Sequence, residues 1–323
     1  CFFIVYQIQL LYLHIKIIST KGVIMKRKVL CTSTGCLEYA PKRYLDEYDI
    51  GIIRIHILFQ GKEYLEGYDL DPVDFYKQLE TLQDVKNNLP KTAMPTVSEI
   101  IAHFDSAISE GYDEIFVICI SSKMGGTYNL IRLIAKDYAS KIKIHVIDSK
   151  ITCFGEGLIA IKTAEMIKKG IASDQILKEI KWMQAHQEFI GIDGKLDYLI
   201  YNGRLKGGKA FIGKMIGICP VIHFSKDGDC EPLCSVISQK KALNKTCEVL
   251  KEIIGNREPK DYILFHIYTG PSVIEKLDVI EEEHGITCNH EPVIMSPVSG
   301  CHNGPWLAGY GLLFLRREDE PLE

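Results

Sequence analysis

Three short stretches of the chain combine hydroxyl side chains with glycine: Ser33-Thr34-Gly35, Ser121-Ser122 with Gly125-Gly126-Thr127, and Asp148-Ser149 with Gly155 and Gly157. Such residues bind anions. Glycine lets the backbone approach a ligand, and the free amides and dipole at a following helix start favour negative charge. Taken singly, each stretch reads equally well as a helix cap or a turn, work that Ser, Thr and Gly do everywhere. Each, however, follows a β-branched run, and ligands of open parallel sheets sit beyond the carboxyl ends of the strands. Three loops converging there favour a binding site.

Other reactive side chains are scattered. The eleven cysteines are odd in number and irregularly spaced, with no Cys-x-x-Cys pair, so they read as reduced thiols in a cytoplasmic protein. Cys230 and Cys234 have only His223 nearby, which leaves them short of a zinc motif. Neither Gly-x-Gly-x-x-Gly nor a Walker lysine loop occurs, so no nucleotide cofactor is expected.

The elements that must position these loops alternate. Strands are expected at 29–32, 114–120 and 143–147, and a hairpin from 52–59 and 62–65. Helices are expected at 71–82, 96–109, 127–138 and 157–169. A second unit follows: a helix at 173–186, the basic turn Asn202-Gly203-Arg204-Leu205-Lys206, a helix at 210–216, and a hairpin of 220–225 and 231–236 turning at Asp227-Gly228. It continues with a helix at 240–254, a strand at 262–268, a helix at 273–284, a strand at 291–296 and a last helix from about Gly304. The fold class is α/β, with a parallel-sheet domain at 25–167 and a second α/β domain at 168–317.

Length and charge agree. The chain has 323 residues, enough for two cores, and a net charge of −4 that gives no field for nucleic acid. Residues 1–24 are largely apolar but carry His14 and Lys16, and Met25 followed by Lys26-Arg27-Lys28 reads as the natural start. The expectation is an upstream extension rather than a stable membrane insertion.

Five ordered motifs resemble the DegV family of bacterial fatty-acid-binding proteins, which includes the acyl-carrying subunit of fatty acid kinase. Pro90-Lys91-Thr92-Ala93-Met94-Pro95-Thr96 is similar to its Pro-Lys-Thr-Ser-Gln-Pro-Ser loop, and residues 121–128 are similar to Ser-Ser-x-x-Ser-Gly-Thr-Tyr. Further matches are Val146-Ile147-Asp148-Ser149-Lys150, residues 196–209, and His302-Asn303-Gly304-Pro305.

The resemblance implies two α/β domains with a lipid tunnel between them. A long-chain fatty acid would lie inside, its carboxylate held at the mouth and presented to a separate ATP-dependent kinase subunit, with no catalysis by this chain alone. The ligand positions carried over are Ala93 and Gly125, where the family has serine, so Thr92, Ser121, Ser122, Gly126, Thr127, Ser33 or His302 must complete the site. Arg204, Lys206 and His266 are candidates for partner docking, and Met94, Met124, Phe154, Phe211, Ile212 and Met215 for tunnel lining. Three alternatives are a different amphiphile, acyl transfer by Cys153 or His302, and a scaffold whose tunnel is filled by its own side chains.

Overall fold

The computed structural model describes residues 25–194, 196–208, 219–270, 280–317 and 319–322. The expected extension at 1–24, the helix at 210–216 and the lining residues Phe211, Ile212 and Met215 lie outside them. So does most of the helix expected at 273–284, of which residues 280–284 are described and helical.

The first half runs β1 (Arg27–Thr32), α1 (Arg43–Glu47), β2 (Ile50–Ile53), β3 (His56–Phe59), β4 (Lys62–Leu65), α2 (Pro72–Glu80), α3 (Val85–Asn88), β5 (Lys91–Ala93), α4 (Val97–Ser109), β6 (Glu114–Cys119), α5 (Thr127–Lys136) and β7 (Lys143–Asp148). Strands β2-β1-β6-β7 form a parallel sheet, while β4-β3-β5 form a small antiparallel one. All six residues of β6, Glu-Ile-Phe-Val-Ile-Cys, are buried, as a parallel strand covered on both faces requires. The hairpin expected from 52–59 is split. Ile52 and Ile53 end β2, and only His56–Phe59 turns back on β4. At the break, Arg54 donates to Glu38 Oε1 and to the Glu66 carbonyl, each at 2.6 Å, which turns the chain out of the parallel sheet.

Helix α6 (Cys153–Lys168) leads to α7 (Ser173–Ala185) and then to β8 (Gln187–Asp193), α8 (Asp197–Tyr201), β9 (Cys219–Phe224), β10 (Cys230–Val236), α9 (Gln239–Ile254), β11 (Tyr262–Tyr268), β12 (Val293–Ile294), α10 (Pro297–Asn303) and β13 (Leu307–Phe314). The second sheet has the order β10-β9-β8-β13-β11-β12, antiparallel except for β11 with β12. At its outer edge the β9–β10 register slips between Pro232 and Cys234.

The helix expected from Gly304 is instead the central strand β13. Ser296 caps α10, accepting from the Ser299 amide, and Pro297 starts it. Gly304, at φ 69°, stops it. All eight residues of β13 are then buried between β8 and β11. Strand β8 escapes a sequence reading for the same reason: buried on both faces, Gln-Glu-Phe-Ile-Gly-Ile-Asp has no alternation to reveal it.

Helix α6 joins the halves. It packs on β1 and β6 of one sheet and on β8 and β13 of the other. Its buried residues, among them Phe154, Leu158, Ile159 and Ile161, therefore surround its axis instead of forming one stripe.

Candidate functional site

A cleft opens where the carboxyl ends of β1 and β6 meet α10. It has room for about 90 Å³ and is lined from the first half by Thr34, Ile55, Thr92, Ala93, Met94, Ile120, Met124, Gly125, Gly126, Thr127 and Thr152. Arg204, Val298, Ser299, His302 and Asn303 close it from the second.

Strand β5 carries Thr92 and Ala93 to this edge by pairing with Ile57 and His56 of β3. There the Thr92 hydroxyl shares a hydrogen bond of 3.1 Å with His302 Nε2. His302 sits in the last turn of α10, not at a helix start, because α10 ends at Gly304. Burial, reinforced by the Arg204 guanidinium, lowers its pKa to about 3. The imidazole is therefore neutral at physiological pH, although a helix carboxyl end alone would favour its charged form. Its Nδ1 and the Nε of Arg204 are buried with no hydrogen-bond partner among the described residues. Arg204 Nη1 donates to the Asn202 carbonyl at 2.9 Å, and burial lowers its guanidinium pKa.

The glycine loop faces them. Gly126 is the N-cap of α5 and brings no side chain to cap it, so the first amides of α5 are left for another acceptor. A Cβ built at Gly125 would meet nothing within 4 Å. At Gly126 a Cβ would lie 2.7 Å from Met94 Sδ, so the half-exposed Met94 side chain lies over this loop.

The structure thus brings together Thr92, Ala93, Gly125, Gly126, Thr127, Arg204 and His302, and leaves other expected residues aside. The Ser121 hydroxyl donates to the Gly228 carbonyl at 2.7 Å, bolting the tip of the β9–β10 hairpin to the glycine loop. Ser122 donates its amide to Asp148 Oδ1 at 3.0 Å, and Ser33 Oγ accepts from the Ile55 amide at 3.1 Å. Lys206 is half-exposed and paired with Asp229 at 3.1 Å. His266 is buried and paired with Glu281, which corrects the surface role expected of it. Cys153 is buried behind the cleft, beside Cys36, Ser299 and Thr152. Of the expected lining residues, Met94 and Met124 face the cleft, whereas Phe154 packs edge-on against Phe265 across the halves at 5.0 Å.

Thr34, Thr152, Ser299 and Asn303 were missed. Thr34 and Thr152 belong to the first and third hydroxyl-rich loops and Asn303 to the His302-Asn303-Gly304-Pro305 motif, so a signal was present; Ser299 lies in no such pattern. Behind the cleft, Glu156 of α6 accepts from Thr34 Oγ1 at 2.7 Å and from Thr32, and burial raises its pKa well above the usual value. A Cβ at Gly157 would stand 2.2 Å from the Gly35 carbonyl, so α6 and the first loop touch backbone to backbone. Beside them Glu66 Oε1 accepts from the Val298 amide at 3.1 Å, and burial lifts the Glu66 pKa to about 7.

A cleft between two α/β halves, lined from strand-end loops by threonines, an arginine and a histidine, has the make-up of a small-molecule binding site. The chain belongs to the DegV family: the profile described as "Uncharacterised protein, DegV family" matches residues 26–315. A DegV domain-containing protein of Clostridium acetobutylicum is 29% identical over 272 residues, covering 84% of this chain and 94% of the relative. Among solved structures, DegV of Bacillus subtilis, described as a fatty acid binding protein, is 26% identical with a TM-score of 0.76 over 90% of this chain and 99% of that one. A fatty acid binding DegV family protein of Streptococcus agalactiae, 24% identical, superposes with a TM-score of 0.80 over 90% of this chain and 100% of that one.

Proposed function

We propose that this protein binds a long-chain fatty acid and presents its carboxylate to a separate ATP-dependent kinase subunit. The observation that carries the reading is the pair of buried, unpartnered nitrogens, His302 Nδ1 and Arg204 Nε, on residues that line the same cleft as the uncapped start of α5. A carboxylate seated there gains charge-assisted hydrogen bonds from groups that otherwise bear an uncompensated desolvation cost. The fatty acid binding stated for the Bacillus subtilis relative supports the same ligand.

The tail supplies affinity, at about 0.8 kcal/mol per buried methylene. The cleft, at about 90 Å³, lies below the roughly 300–1,000 Å³ of most ligand sites, so an acyl chain must part the side chains beneath the mouth. Met94 and Met124, unbranched and adaptable, are suited to yield first. Lys206, on the exposed turn beyond Arg204 and paired with Asp229, is the cation we assign to partner docking. The ten cysteines of the described residues form no disulfide with one another, the state that a reducing cytoplasm maintains. Among the described residues no helix is long and apolar enough to cross a membrane.

The test is native mass spectrometry of protein expressed from Met25, then denaturing extraction of whatever travels with it. A bound fatty acid, lost on His302→Ala, is expected. A lipid without a free carboxylate would make the protein a carrier of another amphiphile, and a covalently acylated Cys153 would make it an acyl-transfer enzyme.

A further inference from the structure

Far from the cleft, three side chains that lipid binding does not use converge at the other end of the second sheet. His266 lies on β11, Glu281 in the helical residues 280–284, and Cys288 in the loop that follows. Their ligand atoms all lie within 4.8 Å of one another. His266 Nε2 is 2.5 Å from Glu281 Oε1, and Cys288 Sγ is 3.7 Å from the same oxygen. His266 and Glu281 are buried and Cys288 is half-buried.

The surroundings hold the three in place. His266 is paired with Tyr310 of β13, whose ring lies 5.3 Å away, and the Tyr310 hydroxyl lies beside Glu281 and meets Cys247 Sγ at 3.5 Å. The loop is tied down beside Cys288: Asn289 accepts from the Leu264 amide at 2.8 Å and donates to the carbonyls of Pro259 at 2.7 Å and Tyr262 at 2.9 Å.

We propose that His266, Glu281 and Cys288 bind a zinc ion, with water in the fourth position. Imidazole, thiolate and carboxylate together suit a borderline-soft cation and not calcium or magnesium, which take oxygen ligands. Zinc bonds of about 2.0–2.3 Å place tetrahedral ligand atoms roughly 3.3–3.6 Å apart. The Cys288–Glu281 distance of 3.7 Å already matches, the His266–Glu281 pair has to open by about 1 Å, and His266 and Cys288, within 4.8 Å of each other, would close onto the ion. Thiolate and carboxylate neutralise the ion, the thiol proton leaves to solvent, and no net charge remains in the half-buried site. Tyr310, beside Glu281, would supply the outer hydrogen bond that ligating carboxylates customarily have. The ion would pin the 280–290 segment onto β11.

The experiment titrates reduced, chelator-stripped full-length protein with Co²⁺ and then with Zn²⁺. One equivalent of cobalt is expected to give visible d–d absorption and a near-ultraviolet thiolate-to-cobalt band, both abolished when zinc displaces it. Cys288→Ser deletes the thiolate band, Cys234→Ser retains it, and Tyr310→Phe weakens binding roughly 10–100-fold. Zinc also slows alkylation of Cys288 in the unmutated chain, a readout independent of how the variants fold. Absence of the thiolate band, its survival in Cys288→Ser, or a Cys288 alkylation rate unchanged by zinc would each overturn the assignment.

Discussion

Two glycine-bearing loops stand within one cleft wall and behave oppositely. Behind the cleft, Gly157 touches the Gly35 carbonyl so closely that a methyl group has nowhere to go; at the mouth, Gly125 faces open space. The first glycine is there for packing between α6 and β1, the second for a guest. Composition makes the two loops look alike, and only the backbone distance separates a structural glycine from a permissive one.

The largest effect is expected where the contact is tightest. Gly157→Ala must push α6 off the first loop, which takes Glu156 with it, and should cost about 5 kcal/mol in chemical denaturation. A loss under about 1 kcal/mol would show that the helix can shift freely and would erase the contrast.

His302 comes next. Its folded pKa of about 3 lies below its unfolded value, so its contribution is present above pH ~6.5 and is lost as pH falls toward 3. Across that window the protein should lose about 4 kcal/mol through this group, and His302→Gln should flatten the curve. An identical pH profile for the two proteins would mean that the imidazole is solvated.

Glu66 reverses the sign. Its folded pKa of about 7 is raised, so the stability it contributes is full below pH ~4.3 and declines as pH rises through 7. Glu66→Gln should therefore be more stable than the parent by about 3 kcal/mol at pH 8 and equal to it at pH 4. A variant less stable at pH 8 would show that the ionised carboxylate is needed to hold the Val298 amide.

The smallest effect on folding sharpens the comparison most. Gly125→Ser has room for its side chain and no left-handed backbone to strain it, so stability should change by under about 0.5 kcal/mol. Fatty acid affinity should rise about tenfold, the worth of one added hydrogen bond to a carboxylate. Unchanged affinity would place the head group elsewhere.

What the sequence disclosed follows from burial and range. β6, β7 and the β9–β10 hairpin were legible because β-branched runs ended in turn residues. β8 and β13, covered on both faces and interrupted by glycine, carry no period, and β13 passed for a helix. At the site, Thr92, Gly125, Gly126, Thr127 and His302 stood in recognisable motifs. The inward turn of Arg204 and the arrival of Ser299 depend on the second half folding over the first, a long-range event that local spacing does not encode.

Strand β10 closes one side of the second sheet, where a row of unpaired amides would ordinarily invite another chain to add a strand. Leu233 is exposed on it and Ile237 just past its end, which would make an uninterrupted edge an aggregation hazard. Pro232 removes one donor, and the register slip beside it twists the next residues out of line, so a second copy finds no continuous ladder to extend. That single irregularity is a guard against polymerisation.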